Sequence, residues 1–210
     1  SIGNLFGAVV SVTDEVVAVG APGRNSNSGA VYVFARSSSN NYNHAWSQQA
    51  ILLHTSSSLN SAGDYFGYSL AVSNGKESMR YMVASSPRSR AAVYMHSAAS
   101  TYASSEQWSL EAKLEPEAVS DGSVDVSDSS GYGDSLVMWD YNNEYNNRGL
   151  AVGSPASDTV HLYSYDTSST SVNFWWTRET VLTVPRAVDG PSFGMSLAVL
   201  LAQYNDVVVL

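Results

Sequence analysis

The sequence predicts an all-β protein made of a repeated four-strand unit. Short runs rich in Val, Tyr, Phe and Leu are bounded by Gly, Pro, Asn and Ser, as strands and turns require. These runs recur in the same order at a spacing of about 60 to 70 residues, which is the scale of a four-stranded unit. The chain carries no convincing helical pattern. We therefore expect one segment over 1–210, with units at approximately 1–60, 61–125, 126–188 and 189–210, the last of them incomplete.

Each unit contains four strand-like runs in the same order. The first unit has them at 5–10, 16–22, 29–34 and 50–53, the second at 65–72, 81–87, 91–95 and 110–114, and the third at 131–136, 149–155, 159–163 and 180–182. A fourth unit opens at 192–199 and reaches its second run at 207–210. An aromatic residue followed by Gly opens the first run, and Pro ends the second. Tryptophan stands at the fourth run, as Trp46, Trp108 and Trp175-Trp176.

These recurring residues have physical roles. Gly after the aromatic residue lets two backbones approach closely, while the aromatic ring fills the space between neighbouring units. Pro22, Pro87 and Pro155 end the second run because proline cannot donate a ladder hydrogen bond. Tryptophan in the fourth run offers a large apolar surface to the adjacent unit.

The same residues carry a resemblance to a known repeat. The aromatic-Gly element occurs as Phe6-Gly7, Phe66-Gly67, Tyr132-Gly133 and Phe193-Gly194, and the second element as Gly20-Ala21-Pro22, Ser85-Ser86-Pro87 and Gly153-Ser154-Pro155. Together they resemble the FG-GAP repeat of integrin α subunits. The resemblance implies a β-propeller of four-stranded antiparallel blades, typically seven, of which about three and a half are present. The remaining blades would come from further sequence, from a second copy or from another subunit.

Composition excludes several classes of function. The net charge of −9 removes the positive field that attracts nucleic acid. No run approaches the roughly 18 apolar residues of a membrane-spanning helix, so we expect no membrane insertion of this segment. The chain has no cysteine, and its four histidines lack metal-pair spacing. Neither a nucleophile elbow nor a phosphate-binding loop occurs, and we therefore expect no enzyme activity.

The resemblance implies an extracellular or cell-surface location and a protein or glycan partner bound through loops on one face. The candidate contacts between second and third strands are Arg24, Asn25, Asn27, Arg88 and Arg90. The acidic connection into the third unit adds Asp121, Asp125 and Asp128. A solubilising loop is the alternative interpretation of that connection.

The resemblance also implies calcium in the loop between first and second strands. In the third unit Asp140, Asn142 and Glu144 alternate along the chain, offering the oxygen ligands that calcium prefers. Gly149 stands where a closing carboxylate is expected. A solvated Asn-rich loop is the alternative interpretation.

Two other functions stay open at this point. One is a structural glycoprotein subunit of an extracellular filament or coat, with sugars on Ser and Thr because no Asn-x-Ser/Thr acceptor occurs. The other is an accessory propeller of a larger secreted or surface enzyme. The main hypothesis is a recognition, adhesion or scaffold module without catalysis.

Overall fold

The computed structural model describes most of the chain outside the long connections. The described residues are 3–36, 45–53, 62–73, 81–88, 91–98, 108–116, 131–140, 148–165, 176–183, 192–201 and 207–209. Over these ranges no helix has the length and apolar character needed to cross a bilayer. The prediction of an all-β chain is confirmed, since helical structure there amounts to single turns at Arg24–Asn27 and Pro155–Ser157.

The strands form three four-stranded antiparallel sheets and one two-stranded pair, all in chain order. Sheet 1 contains β1 (Val10–Val12), β2 (Val16–Gly20), β3 (Val31–Arg36) and β4 (Trp46–Leu52). Sheet 2 contains β5 (Ser69–Ser73), β6 (Tyr81–Ser86), β7 (Val93–Ala98) and β8 (Ser109–Leu114). Sheet 3 contains β9 (Ser135–Asp140), β10 (Arg148–Ser154), β11 (Thr159–Tyr165) and β12 (Trp176–Thr183). The last pair is β13 (Val199–Leu201) with β14 (Val207–Val209).

The three sheets share an internal geometry as well as an order. In each sheet the register between the third and fourth strands shifts by a β-bulge at the same place. The shift comes immediately after the second residue that follows a buried valine of the third strand. The shifts lie between Val33 and Phe34, between Met95 and His96, and between Leu162 and Tyr163. Such β-bulges bend a strand and increase its local twist. The repeat seen in the sequence is therefore a repeat of strand geometry too.

The sheets pack one against the next through apolar side chains. Val16 and Val33 of sheet 1 share a core with Leu70 of sheet 2. On the opposite face of sheet 2, Met95 packs in a second core that contains Val152 of sheet 3. Sheet 2 thus has an apolar neighbour on both faces, which explains why β5 and β7 are buried along their whole length.

A third cluster continues the stacking beyond sheet 3. Trp139, Ala151 and Val160 are buried on the face of sheet 3 that points away from sheet 2. Phe193 and Leu197, which precede β13, pack against them. The first residues of the fourth unit therefore pack on the outer face of sheet 3, in the same way that sheet 3 packs on sheet 2.

Candidate functional site at the turn edge

One end of the stacked sheets is formed by two sets of turns, and we call this end the turn edge. It contains the aromatic-Gly turns before the first strands and the turns between the second and third strands. The four glycines of the first set share one left-handed backbone conformation, with φ between +84° and +90°. They are Gly7, Gly67, Gly133 and Gly194. Residues with a Cβ rarely adopt this conformation, which explains why the motif requires glycine here.

The aromatic-Gly turns of sheets 1, 2 and 3 are each tied to the second strand of their own sheet. The Gly7 amide donates to the Gly20 carbonyl at 3.0 Å, and the Gly133 amide donates to the Gly153 carbonyl at 2.8 Å. In sheet 2 the corresponding acceptor is the Ser86 carbonyl, which receives the Tyr68 amide at 3.3 Å. These bonds fix the position of each turn on its sheet.

The structure shifts one motif by a residue relative to its alignment on proline. That alignment puts Ser85 at the place of Gly153, whereas the strand pairing puts Ser86 there: Ser69 pairs with Ser86, and Ser135 with Gly153. The side chain of Ser86 touches the place where a Cβ of Gly133 would lie. Pro87 comes directly after Ser86, whereas Ser154 separates Pro155 from Gly153. Strand pairing, and not the proline, sets the equivalence.

The turns of adjacent units are joined across the sheet boundary. The Tyr65 amide donates to the Asn27 carbonyl at 2.7 Å, and the Phe66 amide donates to the Ser28 carbonyl at 3.1 Å. The Asn27 side-chain amide also donates to the Tyr65 hydroxyl at 3.2 Å. Between the third and fourth units, the Phe193 amide donates to Asp158 Oδ1 at 3.3 Å. The turns of the first two units, and those of the third and fourth, are therefore joined directly.

Three of the predicted contacts lie together in the turn between β2 and β3. Asn27 is the joint to the next unit, so its side chain is already engaged. Asn25 has a left-handed backbone with φ of +50°, and its carbonyl accepts the Ser28 amide and hydroxyl. The Arg24 guanidinium lies over the Tyr32 ring, 5.7 Å from its centroid. These three residues therefore lie together in one turn, and their roles as ligand contacts stay predictions.

A second arginine on the turn edge also lies over a tyrosine ring, but at a different place in the repeat. Arg88 is exposed, and its guanidinium lies 5.2 Å from the centroid of the Tyr68 ring. Asp134 lies in the aromatic-Gly turn of sheet 3, close enough to Arg88 for the positive charge to act on its carboxyl group. Burial raises the pKa of the Asp134 carboxyl, and the positive charge of Arg88 acts in the opposite direction. In each of the first two sheets, therefore, an arginine that follows the second strand lies over a tyrosine ring.

Several predicted site residues lie outside the described residues. They are Arg90, Asp121, Asp125, Asp128, Asn142 and Glu144. Their roles as ligand contacts or calcium ligands stay predictions. Of the acidic connection, residues 117–130 lie outside the described part of the chain, between Pro116 and Gly131.

Asp140 is the one described member of the predicted calcium site, and it lies at the opposite end of sheet 3. Its Oδ1 accepts the Ser73 hydroxyl at 2.6 Å and lies 2.8 Å from Arg148 Nε. Arg148 is completely buried, and burial lowers the pKa of its guanidinium while Asp140 acts to raise it. Asp140 therefore joins sheets 2 and 3. Over the described ranges, no three His, Asp or Glu side chains gather as a metal site would require.

Sequence analysis missed two buried polar groups between sheets 2 and 3. One is the Asp140–Arg148 pair. An arginine at the start of the apolar run of β10 was the sequence signal that could have indicated a buried ion pair. The other brings the hydroxyls of Tyr132 and Tyr163 within 2.6 Å. Burial raises the pKa of Tyr132 well above its ordinary value. His161 contacts the Tyr132 ring edge to face at 5.1 Å, and burial lowers the pKa of His161 to about 4.

Comparisons with known proteins identify no family. No family model matches the chain, and no curated protein matches it. Among solved structures, it is similar to exo-beta-1,3-galactanase from Phanerochaete chrysosporium, crystallised with beta-1,3-galactotriose. The alignment has 10% identity and a TM-score of 0.49, and it covers 86% of this chain and 38% of the galactanase chain. The chain thus spans well under half the length of that structure.

Proposed function

We propose that the chain is a recognition, adhesion or scaffold module without catalysis, belonging to a propeller of FG-GAP blades at the cell surface or outside the cell. Four glycine turns of one conformation and three sheets with one strand order support the propeller assignment. In such a fold, turns at one end of the sheets form a rigid platform while the strands supply the scaffold. The bonds between Asn27 and Tyr65 provide this rigidity.

The observation that carries the proposal is the pair of arginine-tyrosine contacts on the turn edge. A guanidinium stacked on a ring is held in place and keeps donors available for a carboxylate or another anionic group. The tyrosine rings add apolar surface suited to a sugar face or a protein side chain. We therefore propose an anionic protein segment or an acidic glycan as the partner, bound by Arg24 and Arg88.

Binding to immobilised acidic glycans and acidic peptides would test this function. The double substitution Arg24→Gln and Arg88→Gln should weaken binding by about ten-fold or more, because each arginine contributes charge-assisted hydrogen bonds. Arg36→Gln is the matched control, since Arg36 ends β3 at the far end of sheet 1 and donates to the Asp14 carbonyl.

Three results would overturn the proposal. An equal loss of affinity in the control would show that general charge, and not the turn edge, attracts the partner. Turnover of a glycan by the purified chain, abolished by a single substitution, would show that the module is catalytic. Retained binding in the double variant would remove Arg24 and Arg88 from the site.

A further inference from the structure

The turn edge brings a cation, an aromatic ring and a carboxyl group together where sheets 2 and 3 meet. Tyr68 directly precedes β5 and Asp134 directly precedes β9, so these two residues hold the same place in successive sheets. The backbone of Gly133 packs against the side chain of Ser86, which places the turn of sheet 3 beside the end of β6. Arg88 follows that end by two residues. Its guanidinium stacks on the Tyr68 ring, and its charge acts on the Asp134 carboxyl.

The Asp134 carboxyl is half-buried and lacks the hydrogen bonds that a carboxylate ordinarily accepts. Burial raises its pKa and the charge of Arg88 acts to lower it, and no hydrogen bond from the described residues contributes to that shift. A side chain at residue 131 would contact Asp134 Oδ2, so Gly131 leaves this oxygen uncovered. Because an ionised carboxylate has about four acceptor positions, Asp134 can accept donors from a ligand.

The cation and the ring of this group are accessible as well. Arg88 is exposed, and Tyr68 is 36% exposed. A guanidinium has several donors, so Arg88 can pair with a ligand carboxylate while Asp134 accepts from neutral groups beside it. A ligand that satisfies both residues carries one anionic group with hydroxyl groups next to it. An acidic sugar residue meets this requirement, because ring hydroxyls surround its carboxylate.

An acidic peptide fits the same group less well. Each further carboxylate that such a peptide brings near Asp134 is a like charge, and like charges in one site disfavour each other. The net charge of −9 on the chain also repels a ligand with many negative charges. In a sugar with one carboxylate the remaining polar groups are neutral donors. Asp134 therefore attracts the sugar hydroxyls, whereas it repels a run of acidic side chains.

We propose that Tyr68, Arg88 and Asp134 form a subsite for one acidic sugar residue, in which Asp134 determines specificity by accepting hydrogen bonds from the sugar hydroxyls. Arg88 pairs with the sugar carboxylate, and the Tyr68 ring holds the guanidinium in place. The inference rests on the proposed function, because Arg88 binds the anionic group in both. It narrows the partner from an anionic ligand in general to a glycan.

Binding of the chain to three probes with one carboxylate each tests the subsite. The probes are a trisaccharide ending in glucuronic acid, the same trisaccharide with its hydroxyls O-methylated, and a capped peptide with one glutamate. The chain should bind the free trisaccharide about ten-fold more tightly than the O-methylated one, because methylation removes the donors to Asp134. Asp134→Asn should reduce this preference to about three-fold or less. Asp14→Asn is the matched control, at an exposed residue between β1 and β2, and should leave the preference unchanged.

The two trisaccharides carry the same charge, so their ratio is insensitive to long-range attraction. A preference for free hydroxyls that Asp134→Asn leaves unchanged would overturn the role of Asp134. Equal binding of the free trisaccharide by the Arg88→Gln variant would overturn the subsite. Tighter binding of the peptide than of the trisaccharide would overturn the glycan assignment and leave the proposed function standing. Failure of every probe to bind would overturn both.

Discussion

The aromatic residues Phe66 and Phe6 occupy the same place in the repeat but differ in burial, which makes them a matched pair for testing the stacking of the sheets. Phe66 is completely buried between sheets 1 and 2 and contacts the rings of Tyr94 and His96 at 5.9 and 6.1 Å. Truncating a buried phenylalanine to alanine costs about 3 to 5 kcal/mol through lost transfer free energy and the cavity left behind. Phe66→Ala should therefore remove a large part of a stability that is typically about 5 to 15 kcal/mol.

Phe6→Ala should cost less than about 1 kcal/mol, because the ring is already 57% exposed and has one ring partner, Tyr32. Urea unfolding followed by tryptophan fluorescence measures both losses. Equal losses in the free energy of unfolding would refute the reasoning, because they would mean that sheet 1 does not cover Phe66 in solution.

Three further predictions test the buried polar groups and the glycine turns. Burial lowers the pKa of His161 to about 4 in the folded chain, so as the pH falls the histidine of the unfolded chain is protonated before that of the folded chain. The free energy of unfolding should therefore fall by about 3 kcal/mol between pH 6.5 and pH 4. His161→Tyr should remove that part of the pH dependence of urea unfolding; an unchanged slope would contradict it. Asp140→Ala should cost about 3 to 5 kcal/mol by leaving Arg148 buried without its carboxylate, and adding Arg148→Met should restore part of the loss, whereas additive losses would contradict the pairing. Gly133→Ala should lower thermal stability more than Gly7→Ala, by about 1 to 3 kcal/mol, because both share the left-handed backbone but only the first would collide with a neighbouring side chain.

Much of the fold could be predicted because its signals are local. A run of β-branched and aromatic residues between turn residues favours a strand wherever it occurs, and the repeated order of runs identified three sheets and the start of a fourth unit. The aromatic-Gly pairs marked turns whose glycines all have positive φ. The candidate site was predictable to the same extent: Arg24 and Arg88 lie on turns at one end of the sheets, as their place between the second and third runs suggested.

Other features could not be predicted because they depend on which residues face each other across sheets. Asn27 looked like a free polar contact, but its backbone and side chain join two units. Asp140 looked like a calcium ligand, and the structure places it beside the buried Arg148 and the Ser73 hydroxyl. Tyr65 is 38 residues from Asn27 and Ser73 is 67 residues from Asp140, so no local pattern indicates these contacts between units.

The sequence by itself determined the strands, the turns, their repetition and the all-β class, because backbone preferences and side-chain periodicity act over a few residues. Only the tertiary structure decided which member of each repeated pair is buried. Phe6 and Phe66 have the same local motif, yet the first is exposed and the second is enclosed, because burial depends on whether another sheet lies in front. The equivalence of Ser86 with Gly153 was likewise decided by the tertiary structure, because hydrogen bonds between strands fix the register.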